Sequence, residues 1–137
     1  MIEIIHRNQT LAIIIPSDFY KDGIEFFTPD DYSQQLAYMN RPAGYEIEPH
    51  THNKVPREVF YTQETLFIRK GRLIVDFYTQ DQEYIKSIEL SSGDVILLAS
   101  GGHGFRMVED TEMIEVKQGP FAGDKDKIRF KKHQNEK

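Results

Sequence analysis

Apolar and polar side chains alternate along most of the chain from residue 64 onward. Glu64, Leu66 and Ile68 fall on one face of a strand, with Thr65, Phe67 and Arg69 on the other. Lys70-Gly71 then turns the chain, and Leu73, Val75 and Phe77 alternate with Ile74, Asp76 and Tyr78. A polar break at residues 79–83 precedes a short strand at 84–90, and Ser91-Ser92-Gly93-Asp94 turns into an apolar strand at 95–98. Residues 104–108 and 111–117 read as a further pair of strands around Glu109-Asp110. Earlier, strands are expected at residues 34–41 and 44–52, flanking a corner at Pro42-Ala43-Gly44, and apolar strands around Ile4-Ile5 and at 11–15. Residues 17–21 and 29–32 offer at most one helical turn each. Short strands with turn signals at this spacing predict an all-β sandwich or barrel with little helix.

The 137 residues make one domain the default, and such a chain buries enough surface to fold without a disulfide or a structural metal. Domain and tail separate by charge. Residues 1–120 carry 11 Lys and Arg against 19 Asp and Glu, whereas residues 121–137 carry six against three. The expected domain is residues 1–130, with a polar, disordered tail at 131–137. The overall charge of −5 argues against a nucleic-acid partner. The longest apolar run, residues 11–15, is far short of the ~20 residues that span a bilayer. The polar, acidic N-terminus is not that of an exported chain, so a cytoplasmic location is expected. With no Cys, disulfides, thiolate zinc sites and cysteine nucleophiles all drop out.

Five histidines carry the remaining chemistry. His50 and His52 are two apart on the expected strand, so both rings leave one face, about 6.6 Å apart along the backbone. Pro49, which lacks an amide hydrogen, marks a strand edge or bend before them. Gly44 stands six positions before His50, giving G-x5-H-x-H, and Glu64 stands seven before Gly71. Glu64 shares its strand face with Leu66 and Ile68, so it points toward a core, where a carboxylate needs a cation beside it. Downstream, GDVILLASGGHGF at residues 93–105 runs an apolar strand into a glycine-rich turn that delivers His103. His6 and His133 are expected to be surface residues.

In these residues the chain resembles the cupin superfamily, over positions 44 to about 108. That family's motifs are G-x5-H-x-H-x3,4-E-x6-G and G-x5-P-x-G-x2-H. Gly44, His50, His52, Glu64 and Gly71 fit the first, and Gly93, Gly101 and His103 approximate the second. The sequence departs in two places. Eleven residues separate His52 from Glu64, which makes Glu58 a rival by spacing, with Glu64 preferred on its strand face. Ala99 stands in place of the Pro, and His103 comes one residue early. The resemblance implies a small double-stranded β-helix, or jelly-roll barrel. It also implies a divalent metal (Fe, Mn, Ni, Co or Zn) held by His50, His52, Glu64 and His103.

Such a ligand set leaves open positions for a small polar, anionic or carbohydrate-like molecule. Tyr38, Arg57, Glu58, Tyr61 and Arg106 are the candidate substrate contacts, the two arginines because their fork matches a carboxylate or phosphate. Three functions stay open. One is a metal-dependent enzyme that isomerises, epimerises or oxidises; the second is a non-catalytic ligand-binding module. The third is a metal-free sugar-nucleotide isomerase using His50 or His52 as base. The apolar N-terminal strands also point to a homodimer.

Overall fold

The computed structural model describes residues 1–133. Ten strands and one short 3-10 turn account for its regular structure, so the all-β expectation holds. β1 (Ile2–His6) and β2 (Gln9–Ile15) form a hairpin whose two-residue turn, Arg7-Asn8, has both φ values positive, at 50° and 64°. β3 (Gly23–Phe26) and β4 (Ala37–Asn40) pair only with each other. β5 (Glu64–Lys70), β6 (Arg72–Tyr78), β7 (Tyr84–Ser91), β8 (Val95–Leu98), β9 (Gly102–Met107) and β10 (Glu112–Lys117) follow. The strands arrange as a five-stranded sheet in the order β1-β2-β8-β5-β10, a three-stranded sheet β7-β6-β9, and the β3-β4 pair. All neighbours are antiparallel, and residues 123–126 add the 3-10 turn.

The core lies between the two larger sheets. Leu66 and Ile68 of β5 sit opposite Ile96 and beside Leu98 of β8, with Ala12 and Ile14 of β2 continuing the same face. Leu73, Val75 and Phe77 of β6, with Leu90 of β7, form the facing layer. The alternation expected from residue 64 holds over 66–69, where Leu66 and Ile68 are buried and Phe67 and Arg69 exposed; on β6 it gives way to burial of both faces, with Asp76 and Tyr78 enclosed as well as Val75 and Phe77. On the outer face of the large sheet the β3–β4 connection meets the start of β5. There Thr65 Oγ1 donates to Gln34 Oε1 at 2.8 Å, and Gln63 Oε1 accepts from the Gln34 amide at 3.0 Å.

A single residue, Gly71, joins β5 to β6 and carries the chain from one sheet to the other. Its φ is +92°, and a Cβ there would lie 2.2 Å from the carbonyl oxygen of Asp110. Only glycine satisfies both the dihedral and the approach.

Three sequence expectations need correction. No sheet closes into a barrel, because residues 41–61, expected to supply a strand, contain neither strand nor helix. The expected strand at 44–52 is therefore absent, and that at 34–41 shrinks to β4. Within residues 131–133, the His133 amide donates to Tyr78 Oη at 3.1 Å and its ring stacks on Tyr84 at 3.7 Å. Residues 134–137, the rest of the expected tail, lie outside the described residues. The two single turns are present, closed by Phe19 N–H to Pro16 O and Tyr32 N–H to Pro29 O. Among the described residues no helix is long and apolar enough to cross a membrane.

The corner makes a direct prediction. Gly71→Ala destabilises by about 2–4 kcal/mol in urea unfolding, since it combines a left-handed φ with a clash against backbone. Gly44→Ala, at φ +87° but with open space around it, costs about 1 kcal/mol. Equal effects of the two would show that the approach to Asp110 is unimportant.

Candidate functional site

β9 is an edge strand of the small sheet, and its two faces carry different chemistry. Opposite Phe77 in register, His103 turns to the inter-sheet side, where Glu64 arrives from the first position of β5. His103 Nε2 lies 3.1 Å from Glu64 Oε2, with the two side chains 25% and 17% exposed. The turn before β9 brings His103 there: Gly101 has φ +73°, and a Cβ would come 2.6 Å from the Tyr78 carbonyl oxygen. Glu64 owes its place to the face it shares with Leu66 and Ile68.

A second carboxyl stands beside this pair. Glu115 of β10 is opposite Leu66 and Lys117 is opposite Glu64, so all four share one face. The hydrogen bond from His103 holds the Glu64 carboxyl below its ordinary value, against the pull of burial. Burial and the Glu64 charge push Glu115 the other way. The two shifts run in opposite directions, so as pH falls Glu115 takes up its proton before Glu64 does.

The opposite face of β9 builds a separate cluster. Asp76, only 1% exposed, is gripped by Arg106 through Nε to Oδ2 and Nη2 to Oδ1, both 2.8 Å. Ser87 Oγ also donates to Asp76 and is 2.7 Å from Tyr84 Oη. Arg106 and Ser87 flank Asp76 because β6 pairs with β9 and β7 in that register. His133 Nε2 approaches the same carboxylate at 3.9 Å. Arg106, expected to receive an anionic substrate, is thus committed to a buried aspartate, with its side chain 37% exposed.

A broad cleft of about 2160 Å³ runs around the β9 edge. Arg57, Glu58, Tyr61, Glu64, His103 and Arg106 line it, so six of the nine expected site residues share one space. Tyr38 is elsewhere, packed edge-on against Phe19 at 4.9 Å. His50 and His52 are exposed, with ring centroids 5.3 Å apart, and are not among the lining residues. The segment from Gly119 to Lys132 roofs the cleft, tied down by a hydrogen bond from Thr62 to Asp126 and by Phe130 edge-on to Tyr78 at 4.9 Å. Sequence reasoning missed Asp76, Glu115 and His133. The first had a legible signal, an Asp at a buried-strand position; the other two acquire their meaning only from strand register and from the fold of the C-terminal segment.

The ligand set implied by the resemblance needs four donors within about 2.0–2.2 Å of one point. Among the described residues no three His, Cys, Asp or Glu are grouped in that way. Glu64 and His103 come together; His50 and His52 do not join them within one chain. Comparisons with family models, curated proteins and solved structures found no match.

The buried Asp76 sets a pH dependence. Arg106 first, and Ser87 after it, hold its carboxyl below the ordinary aspartate value of 3.8 although burial opposes this. Its folded pKa is depressed, so its contribution is complete above that value and is lost as pH falls through the folded one. Asp76→Asn should lower stability at pH 7 by about 1–3 kcal/mol and flatten the acid limb below about pH 4. Urea unfolding at pH 3 to 7 measures both, and an acid limb as steep as in the parent chain would contradict the assignment.

Proposed function

We propose that the cleft receives a small, anionic, carbohydrate-like molecule, and that His103 and Glu64 move a proton on it in an isomerisation or epimerisation. The 3.1 Å contact between His103 Nε2 and Glu64 Oε2, on the cleft wall and largely removed from water, carries this reading. With Nε2–H donated to Glu64, the Nδ1 lone pair of His103 is the base. It takes a proton from the carbon beside a carbonyl, and ionised Glu64 stabilises the imidazolium until the proton is returned. Compared with the sequence reading, the base moves from His50 or His52 to His103. Arg57 supplies the charge for an anionic group, and Tyr61 a hydroxyl at the same mouth. On this reading the two facing sheets are an open form of the cupin jelly roll, with Glu64, Gly71 and His103 at the motif positions.

A second reading, a divalent-metal site, is favoured by two observations. Donors 3.1 Å apart suit two ligands of one ion with bonds near 2.1 Å. His50 Nδ1 lies 2.9 Å from the Glu48 carbonyl, an arrangement that fixes the ring and leaves Nε2 as donor. This reading requires the two histidines to reach the other pair.

Deuterium exchange separates the readings. A nucleotide-linked keto sugar incubated with the chain in D2O is expected to gain solvent deuterium, read by mass spectrometry. His103→Gln should slow this by about 100-fold or more with the circular dichroism unchanged. Exchange that persists in excess chelator supports acid–base catalysis; loss restored by added metal assigns the site to the metal reading. Tight binding of the sugar without exchange makes the chain a binding module and ends the enzymatic proposal.

A further inference from the structure

His103 stands on a stretch of backbone with little of its own to hold it. Residues 101–104 read Gly-Gly-His-Gly, and glycine loses more conformational freedom on folding than any other residue. β9 is an edge strand that pairs with β6 alone. The Arg106–Asp76 fork fixes its far part, but the residues on either side of His103 have no side chain with which to pack. The Glu64 contact at Nε2 holds the ring only while the backbone beneath it keeps its place.

The C-terminal segment supplies the support that the strand lacks. A Cβ on Gly102 would lie 3.2 Å from Phe130 Cζ, so the Phe130 ring rests on the bare backbone of Gly102. The same ring meets Tyr78 edge-on, and Tyr78 is the register partner of Gly102, next to the Phe77–His103 pair. On a strand, position 102 shares its face with Arg106 and opposes that of His103, so the ring backs the strand from behind the imidazole. The hold on the segment is itself local. Among residues 119–133 only Gly123, Phe130 and His133 are not exposed. Apart from the 3-10 turn at Gly123–Asp126, no backbone–backbone hydrogen bond among the described residues involves them. Side chains fix them: Thr62 with Asp126 at one end, and at the other Phe130 and His133 on Tyr78 and Tyr84. A segment of exposed backbone held at few points belongs to the low-stability end of a fold and opens without global unfolding.

We propose that residues 119–133 are a releasable strap, and that its seating through Phe130 holds the glycine-rich start of β9 and so positions His103. With the strap latched, the backbone of residues 101–104 is fixed and His103 Nε2 meets Glu64. With it lifted, the cleft opens along its roof, the glycines regain their freedom and the imidazole leaves its working geometry. Phe130 is a positioning residue, acting through the Gly102 backbone and not on the reacting atoms. The effect on rate rests on His103 being the base of the proposed reaction; the ordering of His103 is read without any substrate.

Two measurements on the full chain test the ordering: amide hydrogen exchange read by mass spectrometry, and the ring NMR signals of His103, assigned by their loss in His103→Gln. In Phe130→Ala the amides of residues 102–107 are expected to exchange about tenfold faster, while those of β2, β5 and β8 keep the parent's rates. The single sharp set of His103 ring signals in the parent should broaden or double. Phe130→Leu, which keeps an apolar group over Gly102, should restore most of both. Unchanged exchange and ring signals in Phe130→Ala overturn the proposal. An acceleration spread evenly over all strands overturns it too, since that marks general destabilisation. Should Phe130→Ala fail to fold, His133→Ala, which removes the stack on Tyr84, takes its place with the same local pattern expected, and its absence is equally decisive. In the keto-sugar deuteration Phe130→Ala should lower kcat about tenfold and leave KM within about twofold. Ordering by Phe130 without any deuteration keeps the strap and removes the reaction. Deuteration by Phe130→Ala at the parent's kcat keeps the reaction and overturns the strap.

Discussion

Passage from β5 to β6 in one residue governs the rest of the molecule. A normal hairpin would keep both strands in one sheet; the left-handed Gly71, pressed against the Asp110 carbonyl, sends β6 into the other. The apolar faces of the two strands then look at each other, and Leu66 and Ile68 pack toward Leu73, Val75 and Phe77. Core and site are two ends of this same layer. Glu64 is the next inward position on β5 beyond Leu66, and His103 is paired with Phe77 at the far end of β6. Where the apolar layer runs out, a carboxylate and an imidazole face each other at its open edge.

Burial has been used differently on the two faces of β9. Asp76 is almost wholly enclosed and fully hydrogen-bonded, which is the condition under which a buried carboxylate is tolerable. A clamp of that kind fixes the edge strand to its neighbour and leaves little freedom for chemistry. On the other face the Glu64–His103 contact is single and partly wet, and His103 keeps one ring nitrogen available. An imidazole anchored at one nitrogen and open at the other is fit to accept a proton. The rigid clamp behind it holds the strand from which it projects.

Parts of this were legible because they depend on local pattern. The inward direction of Glu64 follows from the period of two through Leu66 and Ile68, and the turn at Gly71 from glycine itself. The delivery of His103 follows from an apolar strand running into Gly101-Gly102. Other features depend on which segments become neighbours. Residues 44–52 alternate as a strand should, Tyr45 and Ile47 against Glu46 and Glu48, yet no strand edge among the described residues pairs with them. Period alone cannot report a missing partner. Arg106 and Asp76 are 30 residues apart, and their fork exists only through the β6–β9 register. Glu115 reads as one more polar position of an edge strand until Lys117 is found opposite Glu64. His133 reads as tail because nothing in KKHQNEK shows that Tyr84 offers it a ring to stack on.

The basic C-terminal segment gains its meaning from the edge it covers. An edge strand exposes a row of backbone groups that invites unwanted pairing, and a covering segment is one way of blocking it. Here the cover is anchored at Asp126, Phe130 and His133, with Lys127, Arg129 and Lys132 between the anchors along the cleft. Three of the basic residues that separate this segment from the acidic body, Lys127, Arg129 and Lys132, therefore lie along the cleft. Arg106, the positive group nearest His103 in sequence, is paired with Asp76, which leaves Arg57 and this roof as the cleft's other positive groups. The overall charge of −5 averages an acidic body with a basic C-terminal segment, and the cleft brings the two together, its basic cover facing Glu58, Glu64 and Glu115 of the body.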